Sequence, residues 1–155
     1  MIKKDTKVAV LGAGAMGCLF GGLMAEKGLD VVLIDVWKDH VDAINKNGLK
    51  MDGHGGDRFI KVKATTDPST LKPVDAIIVM CKATVLQTAL TSAKNIIGDK
   101  TMLMSFQNGI GHEAIMQEIA GKDKVLGGTT TQASNIVGPG HIKNHASLPS
   151  WIGKY

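Results

Sequence analysis

Aromatic side chains are scarce in this chain: one tyrosine, three phenylalanines and two tryptophans in 155 residues. That scarcity decides how to read a net charge of +4, which alone would invite a nucleic-acid partner. Single-strand binders need rings on which bases stack. The lysines are also dispersed, often beside acids, as in Lys38-Asp39 and Lys122-Asp123-Lys124. No nucleic-acid partner is expected, and the charge reads as a basic rim that attracts small anions. Cysteine is nearly absent too. Cys18 and Cys81 form neither a metal-ligand nor a redox spacing and lie among apolar residues. Buried, reduced thiols in a cytoplasmic protein follow from that. The five histidines form no mixed Cys/His cluster, so no metal is expected. Repeats, low-complexity tracts and long linkers are missing as well. Residues 1–155 read as one domain with a short β tail at about 135–155.

One long uncharged run, the eighteen residues Val8–Ala25, follows a basic Met1-Ile-Lys-Lys start. Together they look like a signal peptide, and Gly17-x-x-x-Gly21 looks like a membrane-helix contact motif. Three glycines in the first ten residues of the run, Gly12, Gly14 and Gly17, argue against a spanning helix. Removing the run would also delete the first strand of an otherwise complete pattern. No membrane association is expected.

What the run contains instead is Val8–Leu11, an apolar strand, leading into Gly12-x-Gly14-x-x-Gly17. A helix and a second apolar strand, Val31–Ile34, come next, and Asp35 stands eighteen residues after Gly17. Each part has a use at a dinucleotide. Gly12 allows a tight turn, Gly14 lets backbone approach a pyrophosphate, and Gly17 lets helix lie close on strand. Ala13, Ala15 and Met16 complete the turn, whose helix start offers N–H groups and a positive dipole end. Asp35 can accept from both hydroxyls of an adenosine ribose. As a helix cap it has a better rival in Asp39.

The rest of the chain alternates likewise. Helices are expected at about Ala15–Lys27, Asp39–Asn47, Val85–Ile97 and His112–Ile119. Strands are expected at Ala76–Met80, Met102–Phe106 and Val125–Gly128. Leu49–Met51 and Phe59–Ala64 flank a glycine-rich turn and read as a hairpin. Ile142–His145 and Trp151–Gly153 read as short tail strands. The fold class is α/β: a doubly wound, mostly parallel Rossmann-type sheet with helices on both faces. Ligands of such sheets lie at the carboxyl ends of the strands. Lys82 and Asn108 occupy those ends. Lys82 reads equally as a solvated strand-end lysine, and Asn108-Gly109 is first of all a turn dipeptide.

Four segments together resemble the ketopantoate reductase (2-dehydropantoate 2-reductase) family over essentially the whole chain. They are Gly12-Ala-Gly-Ala-Met-Gly17, Lys82-Ala83, Gln107-Asn108-Gly109-Ile-Gly111 and Gly128-Thr-Thr-Thr131. The resemblance implies hydride transfer from a nicotinamide cofactor to a 2-oxo acid, ketopantoate to D-pantoate. Lys82 and Asn108 would sit at the nicotinamide–substrate end, and Ser134 would contact the cofactor after the threonine run. Family members commonly carry a basic residue after the second strand and use NADP(H). Asp35 departs from that pattern and favours NAD(H), as in the similar NAD-dependent D-2-hydroxyacid (D-mandelate-type) dehydrogenases. The family also continues into a helical second domain holding its proton-donor lysine and dimer interface. The chain therefore reads as a cofactor-binding half, expected to be inactive alone and a homodimer in full-length form. The other class it fits is a non-catalytic NAD(H) sensor. The surface toward a second domain is expected around Lys82, Asn108 and the tail from Ile142 to Ile152.

Overall fold

The computed structural model describes residues 5–154. Met1–Lys4, with the basic start of the signal-like stretch, and Tyr155 lie outside the described residues. In chain order the elements are β1 (Lys7–Leu11), α1 (Ala15–Glu26), β2 (Asp30–Ile34), α2 (Lys38–Asn47), β3 (Leu49–Gly53), β4 (Arg58–Ile60), β5 (Lys63–Thr65) and β6 (Val74–Val79). Then come α3 (Leu86–Ser92), β7 (Ile97–Ser105), α4 (His112–Ala120), β8 (Val125–Thr130), β9 (Ala133–Gly138), β10 (His141–Ala146) and β11 (Ser150–Lys154). Seven strands form the main sheet in the order β11-β8-β7-β6-β1-β2-β5, parallel throughout except for β11 against β8. From β1 the chain winds one way through β2 and β5, then the other way through β6, β7 and β8. The reversal lies between β1 and β6, and the crevice above their carboxyl ends is where such sheets take ligands.

The strands are apolar on both sides because both faces are covered. Ala9, Leu11, Ile77, Val79 and Leu103 pack with Leu86 and Leu90 of α3 and Met116 of α4. On the opposite face Val8, Val10, Val31, Leu33 and Ile78 pack with α1 and α2. A second sheet, order β4-β3-β10-β9, adds Leu49, Met51, Ile60 and Ile142 to that same core. Helix α1 thus lies between two sheets. A Cβ at Gly21 would meet Leu33 and Val10 of the main sheet, while one at Gly22 would meet Leu49, Met51 and Ile60 of the second. A helix buried on opposite sides is apolar all round. This accounts for the uncharged run and for Gly17-x-x-x-Gly21, whose glycines both face Val10 of β1. No helix among the described residues is long and apolar enough to cross a membrane.

Several local expectations change. Phe59–Ala64 is not one strand: β4 pairs with β3, and β5 pairs with β2 in the main sheet. Ile60, Val62 and Ala64 are all buried, so the alternation is unbroken while the hydrogen-bonding neighbour changes. Alternation fixes the buried side of a strand and leaves its partner open. The expected helix Val85–Ile97 shortens to α3, with a 3₁₀ turn at each end. Asp39 does not cap α2. Trp37 holds the N-cap position, and Asp39 lies in the first turn, where its charge still suits the helix dipole. The tail divides between sheets: β9 and β10 join the second and β11 returns to the main one. Ile142 is accordingly core, whereas Trp151 and Ile152 on the edge strand are 54% and 53% exposed.

Candidate functional site

The three motif glycines have three different constraints. Gly12 has φ +98°, and a Cβ there would overlap the Cys81 nitrogen and the Met80 carbonyl carbon. Its N–H donates to the Ile34 carbonyl at 2.9 Å. At Gly17 a Cβ would fall on the Gly12 carbonyl oxygen, so helix and turn can touch only without a side chain. Gly14, the N-cap of α1, has ordinary extended backbone (φ −65°, ψ −169°), and a Cβ there would meet nothing within 4 Å. No side chain caps α1 and no acid stands in its first turn. The leading N–H groups of α1 are therefore left for an anion, and the dipole favours one. This open cradle fits a pyrophosphate.

Asp35, at the end of β2, is tied to that turn. Its Oδ2 accepts from the Ala13 N–H at 2.7 Å and its Oδ1 from the Trp37 N–H at 3.0 Å. Each carboxylate oxygen keeps a lone pair, so the group can still receive ribose hydroxyls. Beside it, Lys38 is ion-paired with Asp42 along α2.

Two residues that the sequence did not connect with the turn, Cys18 and His40, brace it from beneath. The Cys18 thiol donates to the Ala13 carbonyl at 3.1 Å and lies 3.3 Å from His40 Nε2. His40 Nδ1 accepts the Gly140 N–H at 3.0 Å, which fastens the second sheet's β9–β10 turn to α2. Trp37 stacks on the His40 ring, 4.9 Å between centroids at 13°. Burial, then the Asp35 charge, pushes the Cys18 thiol up to about 12, so it is no nucleophile. Burial also lowers the His40 pKa below its ordinary 6.5, against the opposing pull of Asp35 and the Ala13 backbone. Neutral His40 accepts from Gly140; the imidazolium cannot. A base with a depressed folded pKa contributes stability above its ordinary value and loses it as pH falls through the lower one. The melting temperature should therefore drop below pH 6.5, and part of that drop should vanish in His40→Asn, which keeps an acceptor but does not titrate. An unchanged pH profile in His40→Asn would show that this histidine carries no such linkage.

Lys82 and Asn108 stand exposed at the ends of the adjacent strands β6 and β7. Ser134 lies on β9 of the second sheet, opposite Asn144, and its hydroxyl donates to the Lys143 carbonyl at 3.0 Å. Ala13 is buried, and Ala15 and Met16 are half-buried in the first turn of α1. A cleft of about 640 Å³ opens at the other end of the sheet, beside the starts of β2 and β5 and lined by Ile44, Phe59 and Lys63. It lies at amino rather than carboxyl strand ends, away from the glycine turn, and has no part in the candidate site.

Strand order, switch point and glycine turn together define the class: a doubly wound, Rossmann-type α/β domain. The family described as ketopantoate reductase PanE/ApbA matches residues 8–155. The chain belongs to that family. It is 42% identical over 149 residues to a 2-dehydropantoate 2-reductase of Pyrococcus horikoshii, covering 96% of this chain and 48% of the relative. For the enzyme of that name from Pyrococcus abyssi the identity is 44%, over 96% of this chain and 45% of the relative. Among solved structures, a PanE/ApbA family ketopantoate reductase from Ralstonia eutropha superposes with a TM-score of 0.88 at 32% identity, covering 95% of this chain and 49% of that one. A D-mandelate dehydrogenase in complex with NADH and anilino(oxo)acetate also gives 0.88 at 32%, covering 95% and 47%. The chain spans about half the length of the curated relatives it matches.

Proposed function

We propose that this chain is the cofactor-binding half of a cytoplasmic NAD(H)-dependent 2-oxo acid reductase that converts ketopantoate to D-pantoate and is a homodimer at full length. The uncapped α1 terminus beside a carboxylate fixed at the end of β2 carries the reading. The α1 N–H groups hold the pyrophosphate, and Asp35 receives the adenosine ribose hydroxyls. A bound dihydronicotinamide supplies the hydride. Lys82 presents an ammonium to the substrate carboxylate, and Asn108 offers a carboxamide that both donates and accepts. Ser134 adds a hydroxyl toward the cofactor. The proton donor is a lysine of the family's second domain, so no residue of this chain is assigned that step. The turnover of a D-mandelate-type dehydrogenase is the second reading, favoured by Asp35 in place of a basic residue.

Cofactor choice tests the assignment. Two unit charges 4 Å apart repel by about 4 kcal/mol at an effective dielectric of 20. Calorimetric titration should accordingly show NADH binding at least about tenfold tighter than NADPH. Equal affinities would overturn the role of Asp35. Adding ketopantoate or phenylglyoxylate to the NADH-loaded chain separates the remaining readings. Tighter NADH binding with one of the two oxo acids identifies the substrate class, and indifference to both supports a sensor. Steady NADH oxidation by this chain alone would place the proton donor within it.

A further inference from the structure

Lys82 and Asn108 leave neighbouring strands, and the residue between those strand ends is Gln107. Its side-chain amide donates to the Cys81 carbonyl. Its carboxamide oxygen lies 3.2 Å from the hydroxyl of fully buried Ser105, which donates to it, and its own N–H donates back to that hydroxyl at 3.1 Å. The other side of Cys81 is held equally firmly. The Met80 and Cys81 N–H groups both donate to the Leu11 carbonyl, at 2.8 and 2.9 Å, and the Gly12 backbone presses on Cys81 without room for a methyl. The peptide preceding Lys82 is thus fixed from one side by the glycine turn and from the other by Gln107.

We propose that Gln107 is a positioning residue. By holding the Cys81 carbonyl it sets the direction in which Lys82 departs from β6, and so aims the ammonium at the nicotinamide half of the bound dinucleotide. This rests on the dinucleotide reading above. Lys82 begins a 3₁₀ turn with extended backbone, φ −64° and ψ 143°, and its carbonyl takes the Val85 N–H at 3.0 Å. With both flanking peptides fixed, the Lys82 backbone has little freedom. A side chain that fills the same space without donating, such as methionine, releases only the Gln107 end of this clamp.

The test compares NADH with ADP-ribose, which lacks the nicotinamide, in parent, Gln107→Met, Lys82→Ala and the double variant. Gln107→Met should weaken NADH about fivefold, leave ADP-ribose unchanged, and add little once Lys82 is already alanine, since residues acting through one another are not additive. A purely structural role predicts the same loss for both ligands, or full additivity with Lys82→Ala; either overturns the proposal. So does a parent chain that binds NADH no better than ADP-ribose, which leaves dinucleotide binding intact. A parent that binds neither ligand defeats the dinucleotide reading itself. A melting curve on each variant shows that the loss is not unfolding.

Discussion

A Gly14→Val chain should fold as well as its parent and bind NADH at least about a hundredfold more weakly, a loss of about 2.7 kcal/mol. The backbone at Gly14 is already in a conformation open to any residue, and the space its Cβ would enter is empty. Valine is a poorer N-cap than glycine, but it restricts the unfolded chain; the two effects are each about 1 kcal/mol or less and opposed. What the isopropyl group occupies is the approach to the α1 N–H groups. Thermal melting and calorimetry together decide the matter. Parental NADH affinity in a folded Gly14→Val chain would mean the phosphates bind elsewhere.

Two residues earlier the same kind of substitution should do the reverse. Gly12→Ala is expected to cost at least about 3 kcal/mol, combining a left-handed backbone with a methyl driven into main chain. The neighbouring strand end cannot yield, since Met80 and Cys81 are both hydrogen-bonded to Leu11. Urea denaturation measures the cost directly. A loss under about 1 kcal/mol would show that the turn relaxes around the methyl and that glycine is not required by packing there.

These two glycines also mark what was legible in the chain beforehand. The stretch from β1 through Asp35 could be read because its constraints are local: strand, turn, helix and strand follow one another within thirty residues. Lys82 and Asn108 could be placed by the rule that parallel sheets bind at carboxyl strand ends. The second sheet was legible only in part: the β3–β4 hairpin and the β10 strand could be expected, their pairing with each other could not. It pairs Ile142 with Met51, and no local pattern announces a partner so far along the chain. Gln107 lay in plain view in a quoted motif, yet its bond to Cys81 depends on the register of β6 and β7. His40 looked like an isolated histidine because its partners, Cys18 and Gly140, come from α1 and from a turn a hundred residues away.

The placement of α1 between two sheets has a consequence for how a ligand is received. A surface helix can fray, tilt or recede as a ligand arrives, and its ordering then subtracts from affinity. Here Gly21 and Gly22 pin the helix axis from opposite sides, so its N-terminal end has no local opening mode short of parting the sheets. The rigid half of the crevice is finished when the chain folds. Whatever adjustment binding demands falls instead on the loop after β7, where Gly109 and Gly111 have positive φ and no atom lies within 4 Å of where a Cβ would stand.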